Sequence, residues 1–251
     1  MKHSSFTYRV LCLLAALLLL AGKVSAQRTY LVSVGLTNYD DGNNPLPCSV
    51  NDARAIASFF KNYNNSQVFM LADKNATRDH ILRVLKSMFA KATEKDEIIF
   101  AYSGHGFDGG ISCYNTKDVI YCSEIQNIMH NSKARRKVMF IMSCHSGSFK
   151  KKYGNIAPQQ DYKSKKSSVM LCLSSRANEY SWETAEMKNS FFFDRVVEGL
   201  KGVADKNKDG LVTARELFNH IYAGVIVDTQ GAQHPQMFGN FPDDMVVVKT
   251  R

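Results

Sequence analysis

Two stretches of this chain set reactive side chains among small residues. Tyr102-Ser103-Gly104-His105-Gly106 closes one apolar run, and Ser143-Cys144-His145-Ser146-Gly147 closes another about 40 residues later. A cysteine attacks as the thiolate, so it needs a base or cation to lower its pKa. An imidazole can take that proton and return it to a leaving amine. Gly104 and Gly106 let the backbone pass close to a substrate, and the backbone N–H groups of Gly106 and Cys144 are candidate oxyanion donors. The chemistry so described is acyl transfer. Singly, a histidine at a strand end or a cysteine after an apolar strand is most often structural. The two together, each at the end of an apolar strand with a glycine within three residues, point to a Cys144–His105 pair. His145 is a competing imidazole, but it follows Cys144 directly and its side chain is expected to point away from the thiol.

The elements that must position this pair are legible as apolar runs. Thr29 to Leu36 reads as a buried first strand, bounded by the turn-rich NYDDGNNP. Ser49 is expected to N-cap an amphipathic helix, and Gln67 to Leu71 is a short strand. Thr77 caps a second helix, with Ile81, Leu85, Met88 and Phe89 on one face. IIFAYSGHG delivers His105 from a third strand. Ile111 to Tyr121 is expected to be a hairpin turning at Lys117-Asp118. Ser123 caps a helix to about Lys133, and KVMFIM delivers Cys144 from a further strand. The lysine-rich residues 149–168 read as a loop, Val169 to Leu173 as strand, and residues 192–204 and 213–225 as helices, with Met245 to Val248 closing the sheet. Strands alternating with helices predict an α/β domain whose mostly parallel sheet is covered on both faces. Ligands of such sheets sit at the carboxyl ends of the strands.

Residues 1–26 read as a signal peptide: Lys2 and Arg9 precede an apolar run from Val10 to Ala21, and Val24-Ser25-Ala26 offers a cleavage site. The run is shorter than the ~20 residues a bilayer span needs, and an uncleaved anchor is the alternative. Export predicts a mature domain over residues 27–251, periplasmic or extracellular, and cleavage takes the formal charge from +9 to +6. The lysine runs lack interleaved aromatics, so no nucleic-acid partner is expected. Five cysteines remain (Cys48, Cys113, Cys122, Cys144 and Cys172), an odd number that leaves at least one thiol unpaired.

YSGHG and SCHSG, in this order and spacing, resemble the catalytic blocks of caspases, metacaspases and legumain-like peptidases. LPCSVNDARAIASFF is similar to a metacaspase start, and SSRANEYSWETAEMKNSFFFDRVV to the caspase segment that lines the substrate pocket. The resemblance implies a three-layer α/β/α caspase-like sandwich, a Cys–His dyad acting through a thioester on a polypeptide, and pocket residues Tyr180 and Trp182. It also implies a departure from caspases. Leu46 and Glu183 stand where caspases have arginines for a P1 aspartate, and Met142 where they have glutamine. An anionic P1 would meet Glu183 with no cation to compensate. Metacaspases take P1 Arg or Lys with two acids; Asp52 matches one, and Met142 replaces the other. Asp52 has a competing structural role, because Ser49 and Asp52 have capping-box spacing. The expectation is cleavage after Arg or Lys, with self-cleavage sites at Lys150–Lys152 or Lys163–Lys166. The alternative is an inactive caspase-like binding or scaffolding domain, responsive to calcium.

Two further features accompany the site. Asp205, Asn207, Asp209, Leu211, Thr213 and Glu216, with Gly210 at the sharp turn, fit the ligand positions of a twelve-residue Ca²⁺ loop. No cofactor is required for the chemistry itself. A turn at Lys117-Asp118 would place Cys113 opposite Cys122, where a disulfide is sterically accessible. Zinc is not expected, since C-x₂-C and H-x₃-H spacings are absent.

Overall fold

The apolar runs come together edge to edge. The computed structural model describes residues 27–250 apart from 64, 108, 144–166, 177, 180, 184 and 185. In chain order these form β1 (Thr29–Gly35), α1 (Ser49–Asn62), β2 (Ser66–Ala72), α2 (Arg78–Phe89), β3 (Glu97–Ser103), β4 (Gly106–Phe107), β5 (Gly110–Ser112), β6 (Val119–Tyr121), α3 (Cys122–Asn131) and β7 (Arg136–Met142). There follow β8 (Ser168–Leu173), α4 (Phe191–Glu198) running into a π turn (Gly199–Val203), β9 (Leu211–Thr213), α5 (Ala214–Asp228), β10 (Gln236–Asn240) and β11 (Val246–Lys249). The main sheet has the order β10-β8-β7-β3-β1-β2. All its pairings are parallel except that of β10, which runs antiparallel to β8 along one edge.

The near-continuous hydrophobicity of β1, β3 and β7 follows from burial on both faces. Successive side chains alternate across the sheet. Tyr30, Val32, Val34, Ile98, Phe100, Tyr102, Met139 and Ile141 join α2 and α3 in one core, while Leu31, Ile99, Ala101, Val138, Phe140 and Met142 join α1, α4 and α5 in the other. The expected α/β/α sandwich is what the chain adopts. Among the described residues no helix is long and apolar enough to cross a membrane. The leader and the lysine-rich loop lie outside the described residues, apart from the loop's end at Ser167 and Ser168.

Several local expectations are corrected. The N-cap of α1 is Cys48 and makes no side-chain cap; Ser49 is the first helical residue, and the Asp52 carboxylate is engaged elsewhere. Helix α3 starts after Tyr121, whose N–H donates to Glu124 Oε2, so Ser123 is not its cap. Val246–Lys249 does not close the main sheet. It pairs antiparallel with β9, and β10 takes the edge instead. The hairpin is real, but its register puts Ile111 opposite Ile120. Asn115 Oδ1 accepts the Lys117 N–H, Asn115 O accepts the Asp118 N–H, and Asp40 accepts the Thr116 N–H. These bonds draw the turn two residues earlier than Lys117-Asp118. Cys113 therefore bonds through its N–H to Asp118 O and Cys122 to Gly109 O, and the expected Cys113–Cys122 disulfide is not formed. Both are buried thiols in one apolar core.

Candidate active site

Strands β3 and β7 are parallel neighbours, and their last residues, Ser103 and Met142, are opposite each other. His105 and Cys144 each follow two residues on in the sequence. The exit of β3 is tightly built. The Gly104 N–H donates to Met142 O at 3.1 Å, joining the two strand ends. A Cβ on Gly104 would lie 2.5 Å from Tyr102 Oη and 2.9 Å from Tyr39 Oη, so no side chain fits there.

His105 is held at both backbone ends and at the ring. Its N–H donates to Tyr39 Oη at 2.6 Å, and its carbonyl accepts from Tyr102 Oη at 2.7 Å and from Ser112 N–H at 3.0 Å. Burial raises the phenol pKa of both tyrosines, which keeps them neutral, Tyr39 accepting from and Tyr102 donating to the His105 backbone. Nε2 of the ring lies 2.8 Å from the carbonyl oxygen of Asn44. A carbonyl only accepts, so Nε2 carries hydrogen and the basic nitrogen of the neutral ring is Nδ1. The Tyr39 ring lies against the imidazole, centroids 4.8 Å apart. Asn44 holds φ at +47°, a conformation asparagine tolerates better than most residues. Gly106 opens β4 directly after His105, opposite Ile111. Cys144, the competing His145 and Tyr180 lie outside the described residues.

Next to the strand ends lies a buried acid cluster. Asp52 is fully buried on α1; its Oδ2 accepts from Ser103 Oγ at 2.8 Å and its Oδ1 from Ser190 N–H at 2.8 Å. Burial pushes its carboxyl up to about 8 against these bonds, and the neighbouring Glu183 adds to the rise. Glu183 is half-buried, accepts weakly from the Cys48 N–H at 3.5 Å, and is itself raised by burial. Met142 is 5 % exposed and packs into the core with Phe140 and Phe192. Trp182 presents its ring to solvent, 51 % exposed, with its backbone N–H bonded to Gln233 Oε1. The structure thus brings Asp52 and Glu183 together beside the end of β3, and turns Met142 inward.

The remaining described cysteines are poor nucleophiles. Burial pushes the Cys48 and Cys113 thiols up to about 12 and raises that of Cys172 further still. Cys122 is buried in the same core as Cys113.

The expected calcium loop keeps its carboxylates for itself. Asp205 accepts from the N–H groups of Asp209 and Gly210, Asn207 Oδ1 from that of Asp209, and Asp209 Oδ1 from that of Leu211. Glu216 Oε2 accepts from the N–H and Oγ1 of Thr213, forming the capping box of α5. Among the described residues, no three acidic, histidine or cysteine side chains converge on one point as metal ligands.

A family model for the caspase domain matches residues 29–246. The chain belongs to the caspase family. The solved structure of caspase-1 from Spodoptera frugiperda superposes with a TM-score of 0.67 at 12 % identity, covering 90 % of this chain and 91 % of that one. A protein of solved structure from Geobacter sulfurreducens gives 0.63 at 19 % identity, covering 86 % and 95 %. No curated protein sequence matches the chain. At such identities the likeness establishes the caspase fold, and membership of the family supports a cysteine peptidase acting on polypeptide. Sequence reasoning missed Tyr39 and Asn44 at this caspase-like site. An orienting backbone carbonyl leaves no side-chain signature, and a tyrosine in a turn does not stand out by spacing.

Proposed function

We propose that the protein is an endopeptidase in which Cys144 is the nucleophile and His105 the acid–base partner. The observation that carries this reading is the His105 ring, fixed through Nε2–H to Asn44 O at 2.8 Å, with Nδ1 as its basic nitrogen at the end of a strand paired with the one that leads to Cys144. Nδ1 takes the thiol proton. The thiolate attacks the scissile carbonyl carbon, and the displaced electron pair goes to the carbonyl oxygen. The N–H groups of Gly106 and Cys144 stabilise that oxyanion. Collapse breaks the C–N bond as His105 protonates the leaving amine. Water then attacks the thioester, gives its proton to Nδ1, and the thiol is restored.

Basic P1 residues suit the pocket. Two carboxyls lie beside it, and an incoming guanidinium or ammonium would favour their ionised forms. Glu183, half-exposed, is the carboxylate that meets P1, with buried Asp52 behind it. Export with cleavage after Ala26, and self-cleavage within Lys150–Lys152 or Lys163–Lys166, belong to the same reading. The test is hydrolysis of fluorogenic P1-Arg, P1-Lys and P1-Asp peptides by residues 27–251 against Cys144→Ala. Turnover after Arg or Lys that is lost in the variant supports the reading. Faster cleavage after Asp overturns the pocket assignment, and silence on every peptide favours a non-catalytic binding domain.

A further inference from the structure

Gln233 is a polar side chain with no exposed surface, in the loop between α5 and β10. Both ends of its amide are used. Oε1 accepts from the Trp182 N–H at 2.7 Å, and Nε2 donates to Ser174 O at 2.8 Å. These partners lie 51 and 59 residues earlier in the chain, so the bonds join segments that nothing local holds together.

The second arm reaches further. The Ser143 N–H donates to Ser174 Oγ at 3.3 Å, Ser174 Oγ lies 2.6 Å from Ser181 Oγ, and Ser181 Oγ donates to Ser143 O at 3.0 Å. Ser143 immediately precedes Cys144 in the sequence. His234 adds a parallel tie, its N–H and Nδ1 meeting the two carboxylate oxygens of Glu179 at 3.0 and 2.9 Å. The Ser181–Glu183 segment is therefore referenced to the end of β7 through a buried polar network. Buried bonds of this kind restrict the geometry of the segments they join. What they hold is an indole kept in solvent, 51 % exposed, beside the half-buried carboxylate of Glu183. A large exposed aromatic on a pinned backbone has the form of a binding anchor.

We propose that Gln233 is a positioning residue that holds the Ser181–Glu183 segment at the distance from the Cys144 strand end at which an extended peptide can lie between them. This rests on the peptidase reading, and deepens it by assigning substrate alignment to a residue outside the pocket. Loss of the amide should weaken binding most for substrates that span the segment, least for a single residue that meets Glu183 alone, and leave the chemical step unchanged.

The experiment compares Gln233→Met, which loses both bonds, and Gln233→Glu, which keeps the acceptor for Trp182, with the wild type. A blocked tetrapeptide amide and a blocked single-residue arginine amide are the substrates. Gln233→Met is expected to raise KM for the tetrapeptide about tenfold and KM for the single-residue amide, which meets Glu183 alone, by about twofold to threefold, with kcat unchanged for both. A purely structural role would lower kcat for both substrates together. Trp182 is the only tryptophan in the chain, so its fluorescence reports on the segment without any turnover. Acrylamide quenching should rise and anisotropy fall in Gln233→Met, with Gln233→Glu in between. Unchanged tryptophan signals in a folded Gln233→Met overturn the proposal, as does an equal loss on both substrates. Altered signals with no turnover by the wild type support the clamp and overturn the peptidase reading instead. If Gln233→Met does not fold, Gln233→Glu decides by the same measurements.

Discussion

The carbonyl oxygen of Asn44 and Nε2 of His105 are 2.8 Å apart, while the backbone N–H of the same histidine is held at 2.6 Å by Tyr39 Oη. One turn-rich segment thus sets both the tautomer and the position of the imidazole. Tyr39→Phe keeps the ring stacked and removes only the hydroxyl, leaving the His105 N–H without that acceptor. An unsatisfied buried donor costs about 1–3 kcal/mol. The expected outcome is a fall in kcat of about 10–100-fold with a smaller change in KM, read by steady-state kinetics. Unchanged kcat would show that Asn44 alone orients the ring.

Glu183 is the carboxylate on the open side of the acid cluster. Glu183→Gln should raise KM for P1-Arg and P1-Lys substrates by about tenfold, the effect of losing one charge-assisted contact. Paired kinetics on the two peptides check it. A variant as selective for basic P1 as the wild type would move the specificity elsewhere in the pocket.

Asp52 links stability to pH. Its folded pKa lies above the ordinary carboxylate value, at about 8. Between about pH 4 and pH 8 the folded state therefore binds more protons than the unfolded chain, and this group's contribution to stability is lost as pH rises. Asp52→Asn cannot titrate. The melting temperature of the variant relative to wild type should climb by several degrees across that window, measured by calorimetry in steps of one pH unit. A flat difference would mean that Asp52 is ionised throughout.

Gly104 admits no side chain. In Gly104→Ala the methyl group would press on the hydroxyls of Tyr102 and Tyr39, both of which hold His105. Overpacking of this kind costs about 1–3 kcal/mol. The variant should melt several degrees lower and lose more than tenfold in kcat; an active variant of wild-type stability would refute the packing argument.

For the loop at residues 205–216, calcium would have to draw Glu216 away from its cap on Thr213. Binding should accordingly be weak, in the range of about 10⁻⁴–10⁻³ M seen for extracellular modules. Calorimetric titration should give heat in the wild type and none in Glu216→Gln. Absence of heat at millimolar Ca²⁺ in both would leave the loop as a helix connection.

Where one physical rule acted alone, the sequence was readable. The buried strands β1, β3 and β7 are runs of apolar and β-branched residues, and the ends of β3 and β7 lead to His105 and Cys144. Where local and distant partners compete, the local rule failed. Ser49-x-x-Asp52 has capping-box spacing, yet Asp52 bonds to Ser103 and Ser190, which lie 51 and 138 residues away. The hairpin register turned on Asp40 capturing Thr116 across 76 residues. Strand β10 escaped notice because QMFGN has no β-branched residue and carries a glycine. At Gly239 φ is +129°, and a Cβ would strike the Val169 carbonyl, so the strand exists by its pairing with β8 and not by propensity.

The strand order also has a consequence for how the protein is made. From β1 outward the sheet grows on one side as β3, β7, β8 and β10, in the sequence in which the chain leaves the ribosome. A domain generally folds as a unit once its chain is available. The half that carries His105 is translated before the strand leading to Cys144, and waits for it. On the proposed dyad, a prematurely terminated chain would hold the base without its nucleophile, and the joining of β7 to β3 would be the step at which activity first exists.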